Sequence, residues 1–380
     1  MKLMHLSDLH IGKRLMDASL LEDQQFLIGQ IVSLIESEKP DALLIAGDVY
    51  DRSAPSAEAM ELFDLFLNRL ADSGKPVFIV SGNHDSPERL TYAGSFLERA
   101  NIHISPVYSG HIEPFVLTDE YGEVKIWPMP YVHPDNAARF FPDKSIRNAD
   151  DAVEAVIGEL AVDPSKRNVI VSHQFIAGGS TCDSERRNVG TLEDVNPARY
   201  EAFDYVALGH LHSPQNVGRE DGTMRYSGSP LKYSKSELNS EKSVTLVELG
   251  EKGSVSVSAV PVKPKRDLRL ARGLFNDLMS SGPEKGTEDD LFFIELTDED
   301  DIPNAAARLR ERFPGMLAMA YDNKRTRSFA LVDAPDEVES KQPLQLMREL
   351  YQLVHNDDPM SDEAERFVQE ILKKVEGMQV

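Results

Sequence analysis

Val77-Phe78-Ile79-Val80-Ser81-Gly82-Asn83-His84-Asp85 is the stretch whose reading decides the fold: a short apolar run broken off at once by an amide, an imidazole and a carboxylate. A run of this kind reads as a strand buried on both faces, and the polar residues form the loop at its carboxyl end. The same pattern recurs four times. Lys2–Leu6 leads to Ser7-Asp8-Leu9-His10, Ala42–Ala46 to Gly47-Asp48, residues 168–171 to Ser172-His173, and residues 205–208 to Gly209-His210-Leu211-His212. In open α/β sheets the ligand crevice lies beyond the carboxyl ends of the strands, so five such ends are expected to converge on one pocket.

The residue types at those ends are metal ligands. Residues two apart in an extended segment point the same way, which lets Asp8 with His10, and His210 with His212, each grip a cation from one loop. Asp48 is assigned as the bridge between two ions, because one carboxylate offers two oxygens to two cations. The expected set is Asp8, His10, Asp48, Asn83, His173, His210 and His212. One ion would take Asp8, His10, Asp48 and His212, the other Asp48, Asn83, His173 and His210. Mixed imidazole, carboxylate and amide donors without thiolate favour Mn²⁺, Fe or Zn²⁺ over Mg²⁺.

Paired cations about 3.5–4 Å apart activate water, polarise a phosphoryl oxygen and stabilise in-line displacement. His84 follows a ligand directly, so its ring is expected to turn away from the ions and serve the leaving group, with Asp85 holding the ring. A single histidine beside a strand is more often a structural residue. That reading is kept for His5, His103, His111, His133 and His355, which lack a ligand partner at short spacing. Asp41 precedes its strand and sits at the wrong end, and Asp51 is expected to fix the loop after Asp48.

The order Asp-x-His, Gly-Asp, Gly-Asn-His-Asp, single His and Gly-His-x-His over residues 1–212 resembles the calcineurin-like metallophosphoesterase superfamily. Within it, the opening Met-Lys-Leu-Met-His-Leu-Ser-Asp-Leu-His-Ile-Gly-Lys, the segment Gly47-Asp48-Val49-Tyr50-Asp51 with Pro55, Tyr226-Ser227-Gly228-Ser229-Pro230, and Arg266-Asp267-Leu268-Arg269 are similar to the SbcD nuclease subunits. That resemblance implies a Mn²⁺-dependent double-strand exonuclease and hairpin- or end-cleaving endonuclease in DNA repair, recombination and replication. It implies two Mn²⁺ per chain, an SbcC ATPase partner that gates access to DNA ends, and a homodimer. Some relatives carry a histidine where this chain has Arg52, so no role for that histidine is carried over.

The composition sets the remaining bounds. With 380 residues the chain has room for two or three domains, and Cys182, its one cysteine, leaves no internal disulfide, as expected of a reducing cytoplasm. The opening residues show no secretory signal, and no apolar stretch approaches the roughly 18 residues of a membrane span. A cytoplasmic, nucleoid-associated protein is expected. Forty-one Lys and Arg stand against 64 Asp and Glu, a net charge of −23, which is unusual where phosphate contacts come from cations. The densest basic stretch is Lys263-Pro264-Lys265-Arg266 with Arg269 and Arg272, and Arg14, Arg52, Arg89, Arg186, Arg187, Lys232 and Lys235 fall near the ligand loops. Weak intrinsic DNA affinity is expected, with a partner or dimer supplying much of the grip.

Apolar spacing predicts helices over residues 20–36, with Phe26 on the covered face, and over 58–70, with Met60 on it. Trp127-Pro128-Met129-Pro130-Tyr131 reads as a strand entering a loop near the site. Residues 243–249 and 255–260 alternate as antiparallel strands completing a second sheet. The expected fold is a two-sheet α/β metallophosphoesterase sandwich flanked by helices, spanning a nuclease domain over 1–264. A small α+β unit follows over 265–335, with strands at 291–296 and 327–332 and a helix at 305–313; by resemblance it is a capping domain. Residues 336–380 form a linker and a helical hairpin, its apolar stripes Leu344, Met347, Leu350, Tyr351 and Val354, then Phe367, Val368, Ile371, Leu372 and Val375. Asp362 and Glu365 have capping-box spacing. The resemblance implies that residues 343–375 dock on SbcC, while packing on the chain's own domain is the plainer reading. Two other functions stay open: a phosphodiesterase acting on small diesters, and a metal-free scaffold.

Overall fold

The computed structural model describes residues 1–185, 193–324, 326, 343–354 and 359–376. Arg186, Arg187, the strand expected over 327–332 and His355 lie outside them.

All five ligand-bearing runs are strands. They divide between two six-stranded sheets. The first runs in the order Val255–Pro261, Ser243–Leu249, Lys2–Leu6, Ala42–Ala46, Val77–Val80, Ile102–Ile104, and the second Gln215–Asn216, Met224–Tyr226, Tyr205–Gly209, Arg167–His173, Gly122–Met129, Phe115–Asp119. The ligand strands are parallel within each sheet, which puts their carboxyl ends on one side. Leu44, Ala46, Phe78 and Val80 of the first sheet share one buried core with Ile126, Val169, Val171 and Ala207 of the second. Each of the larger of these side chains contributes about 1.5–3 kcal/mol when removed from water, so this shared core sets where the strand ends lie. The other face of the second sheet is covered by Ala152, Val153 and Val156 of the helix Ala149–Glu159, packed on Ile170, Val206 and Leu208.

One sheet assignment differs from the sequence reading. Ser243–Leu249 and Val255–Pro261 do not complete the second sheet; they extend the first, antiparallel to Lys2–Leu6 with Met4 opposite Leu246. Alternation identifies a strand but not its partner, and Lys2–Leu6, buried from Leu3 onward, needs a neighbour on that edge.

The helices Leu21–Glu38 and Ala57–Ser73 form with boundaries set by their ends: Ser56 accepts a hydrogen bond from the Ala59 amide at 3.3 Å, and Gly74 closes the second helix at φ 66°. Leu27, Ile28, Ile31 and Ile35 are buried, whereas Phe26 and Met60, expected on the covered faces, are 47% and 54% exposed. The buried stripe is completed by Asp23 and Gln24, two polar residues that apolar spacing passes over.

The chain separates into units at 1–268 and 269–380. In the second unit a three-stranded sheet runs in the order Leu268–Gly273, Leu291–Leu296, Met316–Tyr321. Phe275, Phe292, Ile294, Leu309 and Phe313 make its core, with the helices Phe275–Ser281 and Ala305–Arg312. The helices Pro343–Val354 and Asp362–Glu376 are joined by the ion pair of Arg348 with Glu365. The cap of the second is Ser361, whose hydroxyl accepts from the Ala364 amide, so Asp362 is already helical. Among the described residues no helix is long and apolar enough to cross a membrane.

Candidate metal centre

The parallel ends bring the seven expected ligands to one place. Asp8, His10 and His212 set donor atoms within 4.8 Å of one another, and so do Asp8, Asp48 and His173. His10 Nε2 lies 3.0 Å from His212 Nε2. Asp48 Oδ2 stands 3.6 Å from His10 Nε2 and 3.3 Å from His173 Nε2. Asn83 Oδ1 is 3.0 Å from both His173 Nε2 and His210 Nδ1. Donors at right angles around an ion with bonds of about 2.1 Å stand about 3.0 Å apart, so these separations fit the coordination edges of divalent ions. Ring nitrogens that face one another and a carboxylate are the donor set a cation requires.

The bridging geometry refines the sequence reading. A single oxygen of Asp48 faces both histidines, while Oδ1 accepts the His84 amide at 2.9 Å. His173 Nδ1 donates to the Ala46 carbonyl at 2.8 Å, so in the neutral ring that a metal requires Nε2 is the free electron-pair donor. The glycines ahead of the ligands serve close approach. A side chain at Gly47, φ 88°, would meet the His173 ring at 2.4 Å, and one at Gly82 would meet Asp48 Oδ1 at 2.1 Å.

Two expectations about the loop after Val80 need correction. The His84 ring does not turn away from the ligands: it lies 4.9 Å from the His10 ring, because the amide bond to Asp48 folds the loop back. Asp85 does not hold that ring. Its carboxylate accepts the amides of Val49, Tyr50 and Gly82 and so ties the Asp48 loop to the Asn83 loop. His84 Nδ1 is instead bonded to the Asp51 carbonyl at 3.0 Å, and the ring is half-buried, open to a substrate. Asp51 also binds Lys13 Nζ at 2.7 Å and stands 3.6 Å from His10 Nδ1.

The electrostatics push neighbouring groups in opposite directions, a mark of functional sites. Burial would raise Asp48, yet the His173, His10 and His84 rings hold it well below the usual carboxylate range. Burial raises Asp8 to about 6 against the pull of His173 and His212, and raises Asp85 to about 6 with the Asp48 charge adding to it. Burial would lower His173, but Asp48 lifts it to about 9, whereas burial and the His173 charge take His210 down to about 3.

Some residues that shape the site have no motif. Gln24, buried in its helix, donates to the carbonyls of Leu9 and His10 and accepts from the Gly12 amide at 2.9 Å, clamping the first ligand loop. Tyr233 donates to the Leu9 carbonyl at 2.6 Å and stands edge-on to the His10 and His212 rings. The signal in the sequence for Gln24 is a polar residue on an otherwise apolar helical stripe. Other histidines take structural roles. His5 is bonded to the Tyr205 hydroxyl and the Leu208 carbonyl, and His133 caps a short helix by accepting from the Asp135 amide. His111 pairs with Glu113 at the surface.

The basic stretch at 263–272 is largely engaged. Lys265 pairs with Glu22, Arg266 with Asp23, Arg269 with Asp290, and Arg272 with Asp322. Arg52, by contrast, has a side chain 78% exposed beside the site, 3.8 Å from Asp51. Trp127 lies in its strand, donating to Asn168, and the Tyr131 amide is bonded to the Ser81 carbonyl with its ring 6.3 Å from His173.

Residues 1–214 match the family described as calcineurin-like phosphoesterase, and residues 264–355 match the type 5 capsule protein repressor C-terminal domain, the C-terminal domain of SbcD. The chain is 32% identical over 344 residues to the SbcD subunit of the SbcCD nuclease of Staphylococcus epidermidis, covering 89% of this chain and 90% of that protein. Solved structures similar to it include a dimetal phosphatase from Danio rerio, at 10% identity, TM-score 0.41, 68% of this chain and 95% of that one. A Thermus thermophilus protein gives 11% identity, TM-score 0.39, 68% and 98%.

Proposed function

The chain belongs to the calcineurin-like phosphoesterase family, and within it to the SbcD nuclease subunits; from that premise we propose how its residues carry phosphodiester cleavage. It is a metal-dependent phosphodiesterase and the nuclease subunit that works with SbcC on DNA. One divalent ion would be held by Asp8, His10, Asp48 and His212 and the other by Asp48, Asn83, His173 and His210, with Mn²⁺ the ion this reading favours. When bound, such a pair activates water and neutralises charge on the phosphoryl oxygens. The observation that carries this reading is Asp48 Oδ2 standing between His10 Nε2 and His173 Nε2.

His84 acts on the departing group. With Nδ1 anchored on the Asp51 carbonyl, Nε2 is the atom left to give a proton to the leaving sugar oxygen. Asp85 serves indirectly, by holding the amides of both neighbouring loops in place. Arg52 supplies a phosphate contact at the rim.

The substrates are double-stranded DNA ends and hairpins, and the chain works as a homodimer. With most of the basic stretch at 263–272 spent on internal ion pairs, the grip on DNA comes mainly from the assembly. The tail docks SbcC: Met347, Leu350, Tyr351, Met360, Ala364, Phe367 and Val368 line a groove of about 330 Å³ between its two helices, and Phe367 is 64% exposed. A Mn²⁺ titration of linear and hairpin duplex cleavage, with and without SbcC and ATP, tests the reading. Cleavage that needs no added divalent ion after chelation, or that is confined to small diesters, would refute it.

A further inference from the structure

Glu237 and Lys242 form an ion pair at 2.5 Å beside the His210–His212 loop, both almost completely buried. Burying two charges costs several kcal/mol per ion, and the attraction between them often does no more than offset it, so stability alone is a weak reason for the pair. Its hydrogen bonds show where it acts. The Lys242 ammonium has three protons, and they go to Glu237 Oε2, to Ser229 Oγ at 3.0 Å and to the His212 carbonyl at 2.8 Å. Glu237 Oε1 accepts from Ser234 Oγ at 2.8 Å, from the Tyr233 amide at 3.1 Å and from Ser184 Oγ at 2.9 Å. Ser184 Oγ in turn lies 2.7 Å from His212 Nδ1.

The direction of this chain of bonds is fixed by its last member. An ionised carboxylate only accepts, so the Ser184 proton points at Glu237 and the Ser184 oxygen accepts from His212 Nδ1–H. In the neutral ring that a metal binds, that leaves His212 Nε2 unprotonated and facing His10 Nε2 at 3.0 Å. We propose that the buried Glu237–Lys242 pair positions His212 for metal, setting its ring tautomer through Ser184 and its backbone through the carbonyl. The inference rests on the two-metal reading and adds to it residues distant from the ligand in sequence, none of which belongs to a ligand motif. Outer partners of this kind hold the metal-binding orientation and raise the basicity of the ring.

The test is calorimetric titration of the chelator-treated full chain with Mn²⁺ alone, alongside its melting temperature in chelator and the ¹⁵N shifts of the histidine rings. Ser184→Ala removes the relay but leaves the ion pair, and Glu237→Gln lets an amide donate to Ser184 and reverse the chain of bonds. Expected for both is a loss of about 10–100-fold in affinity for one of two bound ions, with the other unchanged. Ser184→Thr should restore it, and Ser184→Ala should melt as the unaltered chain does in chelator. Two unaltered binding steps and an unaltered ring tautomer in Ser184→Ala would overturn this inference alone. Failure of the unaltered chain to bind two ions would overturn the two-metal reading, and this inference with it.

Discussion

Gly82→Ala is the substitution whose effect follows most directly from the geometry. The added Cβ would stand 2.1 Å from Asp48 Oδ1, 2.5 Å from the Asp48 amide nitrogen and 2.7 Å from its carboxyl carbon, where real Cβ contacts are essentially never under 3.0 Å. The carboxylate must therefore retreat by about 1 Å, and it cannot rotate out cheaply because Oδ1 holds the His84 amide at 2.9 Å. A misplacement of about 1 Å at a reacting centre costs on the order of 10²-fold. The expectation is a drop of that size in kcat/KM for Mn²⁺-dependent hydrolysis of bis(p-nitrophenyl) phosphate, with weaker Mn²⁺ binding. Overpacking at one loop costs about 1–3 kcal/mol, so the chelated variant should stay folded and melt only a few degrees lower. Activity and Mn²⁺ affinity within twofold of the unaltered chain would refute the view that Asp48 is held in a bridging position by contact with this glycine.

Asp48→Ala should lose bound metal and cleavage together, and metal analysis showing two ions retained would count against the bridge. His84→Ala should keep both ions while losing about 10²–10⁴-fold in cleavage, the range of a lost acid or base; full nuclease activity would remove that role. His5 is a stability prediction. Burial, with the Arg225 charge, lowers it from 6.5 to about 3, so as pH falls through 6.5 the unfolded chain takes up a proton that the folded chain refuses. Its contribution is whole above pH 6.5 and is lost toward pH 3, about 2 kcal/mol by pH 5, and urea titrations at pH 7 and 5 should show that loss shrinking in His5→Gln. Deleting residues 341–380 should spare model-diester hydrolysis and abolish SbcC binding in a pull-down; an unaffected complex would place the contact elsewhere.

The site is legible in the sequence because each strand is buried on both faces and is followed at once by its polar residues. Burial fixes the strand, the strand fixes where its end lies, and residues such as Asp8, Asn83 and His173 need no further information to be brought together. Legibility fails where the deciding fact is a partner. Nothing in the alternation of residues 243–249 says that they pair with Lys2–Leu6, and nothing in the spacing of Phe26 says that Asp23 and Gln24 take the buried face beside it. Asp85 is hidden for the same reason: its position after His84 indicates a neighbour in sequence, whereas the amides of Val49 and Tyr50 that it binds come from another loop.

Backbone strain at the site follows a pattern that the sequence does not display. Asp8, His10, Asp48 and His210 all have positive φ, at 52°, 44°, 48° and 112°. Non-glycine residues in such conformations cost on the order of 1–3 kcal/mol each, and they persist only where the surroundings over-determine them. For Asp8, His10 and Asp48 the surroundings are the first and second ligand loops themselves, while the His210 amide is held by the Asp8 carboxylate at 3.0 Å. The Asp8 amide bonds to the Gly47 carbonyl at 3.0 Å, His10 to Asp48 at 2.9 Å and Ile11 to Val49 at 2.8 Å, so the ladder between the two strands continues past their ends into the site. The two loops thus continue the pairing of the first sheet past the strand ends, but through left-handed residues rather than the extended backbone that spacing alone suggests. The strain is supported by the core shared between the sheets, which fixes both strand ends and leaves the loops no relaxed path apart. Destabilising that core, by Val80→Ala or Val171→Ala, should therefore weaken Mn²⁺ binding before it unfolds the chain, and metal affinity that stayed constant until global unfolding would show the loops to be held by local bonds alone.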